Sequence, residues 1–237
     1  MALLELRGVE AGYGSMRILW GIDLDVEAGE TVLLLGANSA GKTTLLKTVI
    51  GLLRCRGGEI RLDGQRIDAW APGSRVRAGM TFMSELGVFP ALSISENIRL
   101  GGYFLSGSEV KRRSERLFAM FPELARRRRE PAASLSGGQR KMLGIAKALV
   151  AEPRVLLMDE PSSGLAPVFV KEVIEVLKQN IGGGTALLIA EQNVAFLALA
   201  DRGYLMDGGR VAFSGTRSEL ETSDAVRAAY FGVRESV

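Results

Sequence analysis

The stretch TVLLLGANSAGKTTLLKTVIG, residues 31–51, decides how this chain is read. It begins with an unbroken apolar run, residues 32–35, and closes with Leu45, Leu46, Val49 and Ile50 at helical spacing. Between them GANSAGKT, residues 36–43, fits the phosphate-loop pattern G-x-x-x-x-G-K-[ST]. A buried-strand pattern before the motif and a helix pattern after it set it apart from a chance Gly-rich turn. Such a loop turns backbone N–H groups toward phosphate oxygens, and the following helix adds the positive end of its dipole. The expected phosphate-binding residues are therefore Gly36, Ala37, Asn38, Ser39, Ala40, Gly41, Lys42, Thr43 and Thr44. Lys42 reaches the β- and γ-phosphates, and the Thr43 hydroxyl is a ligand for Mg²⁺. The loop implies a bound nucleotide together with Mg²⁺.

Composition bounds the rest. The 237 residues, 47% apolar and 24% charged, suit one large domain with a sizeable core. A net charge of +3 gives no reason to expect nucleic acid. A single cysteine, Cys55, excludes an intramolecular disulfide framework and fits a reducing compartment. With Glu5 interrupting the first apolar residues, no secretory signal is expected at the start. No apolar run reaches the roughly 18 residues a bilayer span needs, so the chain is expected to be soluble. Histidine is absent, which removes the commonest general base and metal ligand.

Before the loop, residues 3–9, 18–26 and 31–35 read as strands, with Ile22, Leu24 and Val26 alternating as in a sheet with one solvated face. Gly12-Tyr13-Gly14 marks the first turn, where Tyr13 is either a hairpin or core aromatic or a ring that stacks on adenine. After it, residues 59–62 and Asp63-Gly64 predict a hairpin, and residues 80–83 a short strand. From about 93 to 150 the pattern is helical, with Val110, Ser114, Leu117 and Phe121 on one stripe. Four arginines, 126–129, read as a solvated helix end or as a contact for anionic lipid or an acidic partner. Residues 155–160 form an apolar strand ending in two carboxylates. A helix over 168–177, a strand over 185–190, a hairpin around Asp207-Gly208-Gly209 and an amphipathic helix over 225–231 complete the chain. Strands alternating with helices indicate a parallel sheet covered on both faces.

Asp159 and Glu160 supply the second site signal. A carboxylate at the C-terminal end of a parallel strand lies where open α/β sheets bind ligands. Asp159 is suited to holding Mg²⁺, and Glu160 to orienting a water for attack on the γ-phosphate.

LSGGQ, residues 135–139, joins GANSAGKT, LLMDEP (156–161) and SSGLAP (162–167) in order along the chain. With these motifs the chain resembles the ATP-binding subunits of ABC transporters over essentially its whole length. The resemblance implies an α/β fold: a P-loop ATPase core with a mostly parallel central sheet, an N-terminal antiparallel β part and a helical signature lobe. It implies one domain over 1–237, with core segments 1–84 and 154–237 and the lobe at about 85–153. Ser136, Gly137, Gly138 and Gln139 then face the γ-phosphate held by a second ATPase subunit, identical or homologous, in a head-to-tail dimer. Read alone, Ser136 is also a plain helix N-cap. Tyr13 falls at the adenine-stacking position. Glu85 stands where most members have a glutamine, in the loop that touches Mg²⁺, water and the membrane subunit. Gln192 stands where most have the switch histidine, and Ser39 where glycine is common. An amide hydrogen-bonds a phosphate oxygen without an imidazolium's charge, which implies slower or more asymmetric catalysis.

Glu85 with Val88-Phe89-Pro90, the 162–167 segment, Glu191-Gln192-Asn193 and the ending 226–232 are similar to ATPases of branched-chain amino-acid importers. Urea and short-amide importers share them. The resemblance implies Mg-dependent ATP hydrolysis coupled to translocation, integral membrane permease partners and, indirectly, a substrate-binding protein. It implies a peripheral place on the cytoplasmic face of the inner membrane, and no nucleic acid. An ABC ATPase acting on DNA or ribosomes would need a coiled-coil insertion or two ATPase domains, and neither is visible. A small-molecule P-loop kinase leaves LSGGQ without a purpose.

Overall fold

Two sheets share the strands in the computed structural model, which describes residues 2–85, 87–180, 184–224 and 226. In chain order come β1 (Leu4–Tyr13), β2 (Met16–Val26), β3 (Thr31–Leu35), α1 (Lys42–Val49), β4 (Gly57–Leu62), β5 (Gln65–Arg66), α2 (Pro72–Arg77) and β6 (Met80–Met83). The helices α3 (Ile94–Gly101), α4 (Gly107–Met120), α5 (Pro122–Arg126) and α6 (Gly137–Leu149) follow. Then come β7 (Val155–Asp159), α7 (Pro167–Asn180), β8 (Ala186–Glu191), β9 (Arg202–Asp207), β10 (Arg210–Thr216) and α8 (Arg217–Thr222).

The six-stranded sheet runs β10-β9-β3-β8-β7-β6 and is parallel except where β10 meets β9. Its central strands are apolar throughout because both faces are covered. Leu33, Leu35, Leu156, Met158, Leu187 and Ile189 join the core beneath the helical segments. Val32, Leu34, Val155, Leu157, Leu188 and Ala190 face α1 and the antiparallel sheet β2-β1-β4-β5. The period of two thus sends alternate residues of one strand into two different cores. The helix after the phosphate loop lies between the sheets and is fixed from both sides.

Several expectations are corrected in extent. The first hairpin is longer than residues 3–9 and 18–26 suggested. Gly12 and Tyr13 still pair with Arg17 and Met16, and the turn is at Gly14-Ser15. Register shifts between Leu6 and Val9, and between Ala11 and Gly12, break the alternation that marks a strand in sequence. The helical stretch 93–150 is divided into four helices and a 3₁₀ turn at Ala132–Ser134, with Ser93, Ser106 and Ser136 each capping a new start. The stripe Val110, Ser114, Leu117 and Phe121 is buried. Helices α2 and α8 and the 3₁₀ segment Val194–Ala198 had no sequence counterpart. The helix expected over 225–231 lies outside the described residues apart from Val226. Among the described residues, no helix is long and apolar enough to cross a membrane.

Candidate nucleotide site

The loop between β3 and α1 closes a tight turn under the sheet edge. Gly36 adopts φ 154°, and a Cβ there would sit 2.6 Å from the Met206 carbonyl oxygen, so no other residue fits. Ser39 takes φ 69° without being glycine. The left-handed region costs a serine roughly 1–2 kcal/mol, so the loop keeps its shape at this position by strain. Helix α1 starts at Lys42 with no side-chain cap and no acidic residue in its first turn. Its first N–H groups and dipole are therefore left for an anion.

Lys42 is buried, with Nζ donating to the Gly36 and Ala37 carbonyls at 2.8 and 3.1 Å. Glu160 Oε1 lies 3.5 Å from the same ammonium. Thr43 Oγ1 donates to Asp159 Oδ1 at 2.9 Å, joining the loop to the end of β7. Burial pushes the Asp159 carboxyl up, and the Thr43 hydrogen bond offsets part of that. Glu160 adopts φ 47°, a left-handed conformation, directly after the strand. A cavity of about 340 Å³ joins these groups, walled by Ile18, residues 38–44, Glu85, Asp159 and Glu160.

The cavity suits a nucleoside triphosphate and its metal on chemical grounds. Thr43 and Asp159 supply hard oxygen donors in contact with each other, the kind Mg²⁺ accepts alongside phosphate and water. Among the described residues no cluster of three or more acidic, His or Cys side chains gathers as a metal cage.

Sheet register aligns the remaining residues. Leu35 pairs with Glu191 and Asp159 with Ala190, so Gly36, Glu160 and Gln192 all follow strand ends at one edge. Gln192 is exposed, its N–H bound to Glu191 Oε2. Glu191 itself is buried and accepts also from the Ser162 and Asn193 N–H groups, tying the turn after β7 to the segment after β8. Burial raises its carboxyl despite these bonds. Glu85 is exposed, and its Oε1 accepts from Ser163 Oγ at 2.9 Å.

Tyr13, Gln192 and the 136–139 turn do not line the cavity. Tyr13 is 47% exposed at the end of β1 and borders a separate hollow with Arg54, Cys55 and Arg56. Its turn is pinned by Arg56, whose Nη2 donates to the Gly12 and Gly14 carbonyls. Ser136 is an N-cap within a reciprocal capping box with Gln139, so the local reading of this serine holds. Arg127 Nη1 donates to Gln139 Oε1 at 3.0 Å and its Nη2 to Glu130 and Ser134, so one arginine of the 126–129 run braces this turn instead of ending in solvent. A Cβ on Gly138 would lie 2.8 Å from the Phe169 ring.

Sequence reasoning missed Glu191, Ile18, Arg127, Phe169 and Lys141. Lys141 had a visible signal, since it shares a helical stripe with buried Ile145 and Ala148.

The description of the ABC transporter family matches residues 19–163. The high-affinity branched-chain amino acid transport ATP-binding protein BraG of Pseudomonas aeruginosa is 35% identical over 97% of this chain and 100% of its own length. The probable branched-chain amino acid transport ATP-binding protein LivF of Archaeoglobus fulgidus is 36% identical over 92% of this chain and 94% of its own. A nucleotide-free ATP-binding cassette from an ABC transporter superposes with a TM-score of 0.86 at 22% identity, over 99% of this chain and 100% of that one.

Proposed function

The chain belongs to the ABC transporter family, and from that premise we propose that it is the Mg²⁺-dependent ATPase subunit of an importer for branched-chain amino acids. The observation that carries the ATPase reading is the meeting of Lys42, Thr43, Asp159 and Glu160 in one cavity at the strand ends. The two branched-chain relatives, similar over nearly the full chain, support the cargo. An importer of urea or short amides is the second reading, favoured by the motifs those groups share.

In this reading Lys42 leaves the Gly36 and Ala37 carbonyls and turns to the β- and γ-phosphates, while the α1 N–H groups hold the phosphate chain. Thr43 and Asp159, with Glu85 nearby, would hold Mg²⁺, which supplies charge neutralisation at the phosphate oxygens. Glu160 loses its Lys42 partner as phosphate arrives and is freed to orient a water and take its proton. Gln192 donates an amide hydrogen bond toward the γ-phosphate. Tyr13, exposed on its hairpin, would stack on the base. The Ser136–Gln139 turn faces the site of a second ATPase subunit, which explains why it does not line its own chain's cavity. Permease subunits dock on the segment 85–153, the helical lobe, where Phe89 is 52% exposed, and segments 1–84 and 154–237 form the nucleotide-binding core. The chain sits at the cytoplasmic face of the membrane through those partners, with a substrate-binding protein upstream.

Glu160→Gln tests this. The variant is expected to bind ATP with parental affinity and to lose turnover by about 10²-fold or more, as measured by phosphate release. Undiminished turnover would remove Glu160 from the base role.

A further inference from the structure

Lys141 is a cation on an apolar stripe of α6, with 9% of its surface exposed. Its Nζ donates to two backbone carbonyls from distant parts of the chain, Glu85 at 2.9 Å and Glu160 at 3.0 Å. The same two residues meet again through Ser163, whose N–H donates to the Glu160 carbonyl at 3.1 Å and whose hydroxyl donates to Glu85 Oε1 at 2.9 Å. Three segments therefore converge on one ammonium: the helix that begins with the Ser136–Gln139 turn, the Glu85 loop and the Glu160 turn.

Glu160 needs such a hold. Its φ of 47° lies in the left-handed region, which is strained for a residue with a Cβ. Its N–H is still fixed to the Ala190 carbonyl at 2.9 Å. The carbonyl is fixed by Ser163 and by a charged donor, which makes the stronger bond. With both ends of the residue held, the side chain is aimed at Lys42, 3.5 Å away.

We propose that Lys141 is a positioning residue that clamps the Glu85 and Glu160 backbones to α6, so that Glu160 reaches its working geometry only when the helical lobe is seated on the core. Burial pushes the Lys141 ammonium pKa down, and the surrounding carboxylates Glu85, Glu191, Glu160 and Asp159 oppose that shift. The inference rests on the reading that Glu160 orients the attacking water.

Steady-state ATP hydrolysis by the full chain, run for Lys141→Met, Lys141→Arg and Glu160→Gln, tests it. Lys141→Met keeps the stem and removes the charged donor. It is expected to lower kcat by about ten- to a hundred-fold while the KM for ATP moves by less than about three-fold. Lys141→Arg is expected to recover most of the loss. A kcat equal to the parent's, or a rise in KM alone, would overturn the clamp. A crystal structure of Lys141→Met provides the second readout, with Glu160 expected to relax to negative φ and its carboxylate to move off Lys42. Glu160 remaining at positive φ beside Lys42 would also overturn it. If Glu160→Gln turns over normally, the ATPase assignment of Glu160 fails instead, and the structural readout still decides whether Lys141 holds that backbone.

Discussion

Asp159 is a buried carboxyl whose charge works against the fold. Its carboxyl is 4% exposed, and burial raises its pKa above the ordinary carboxylate value, with Thr43 only partly compensating. A carboxyl whose folded pKa is raised favours the fold when protonated. That contribution is complete below the unfolded pKa of about 3.9 and is lost as pH rises through the higher folded value. At neutral pH the nucleotide-free protein therefore carries a buried ionised group at a cost. Asp159→Asn is expected to raise the melting temperature of the nucleotide-free protein at pH 7, with the advantage shrinking toward pH 4. The Thr43 hydroxyl retains an acceptor in the amide. Adding Mg²⁺ and ATP is expected to reverse the order, stabilising the parent more than the variant. Scanning fluorimetry at the two pH values measures this, and an Asn variant less stable at pH 7 without nucleotide would sink the account. The motif reading found Asp159, Lys42 and Thr43 because their chemistry is written into neighbouring residues. The left-handed backbone of Glu160 was not legible, because its hydrogen-bond partners Ala190 and Lys141 are distant in the chain.

At the scale of elements, α1 is set at both ends by different devices. Its N-terminus is left open for phosphate, whereas its C-terminus is closed by Arg75 of α2. That guanidinium is 1% exposed and donates to the Thr48 and Val49 carbonyls at 2.9 and 2.6 Å, and to those of Trp70 and Asp68. Positive charge at a helix C-terminus complements the dipole, and the carbonyls there have no helical partners. Gly51 makes room for it, since a Cβ would lie 2.9 Å from Arg75 Nε. Arg75→Met fills similar space but removes the charged donor from the buried Val49 carbonyl and the part-buried Trp70 and Asp68 carbonyls, while the Thr48 carbonyl keeps the Gly51 N–H, and is expected to cost about 2–4 kcal/mol of stability. Denaturant unfolding measures it, and a loss below about 0.5 kcal/mol would mean that water replaces the guanidinium. Helix α2 escaped the sequence reading because it is a short helix whose buried residue is an arginine, which carries no apolar period.

Across the whole molecule, Arg202 joins the two sheets. At the start of β9 it donates to the Glu30 carboxylate before β3, to the Tyr204 hydroxyl, and to the backbone and carboxylate of Asp25 on β2. Burial works against its charge, but the bonds to Glu30 and Tyr204 outweigh it and hold the guanidinium protonated. The site is 24% exposed, which screens the pairs, so Arg202→Met is expected to lose about 1–3 kcal/mol. A double-mutant cycle with Glu30→Gln separates the pair from general damage: a coupling energy within about 0.3 kcal/mol of zero would deny Arg202 its linking role.

The sequence by itself determined the phosphate loop, the carboxylates at the end of β7, the apolar strands and the family resemblance. Each of these is encoded by residues adjacent in the chain, where turn chemistry and the periods of 2 and 3.6 act. Tertiary structure alone decided that Lys141 meets Glu85 and Glu160, that Arg127 braces Gln139, and that Glu191 binds Ser162 to Asn193. Several of these partners are separated by 12 to 56 positions, and only the packing of distant segments against one another brings them within hydrogen-bond reach. The loop at 36–43 says what is bound. The long-range contacts hold the backbone of Glu160 beside that loop.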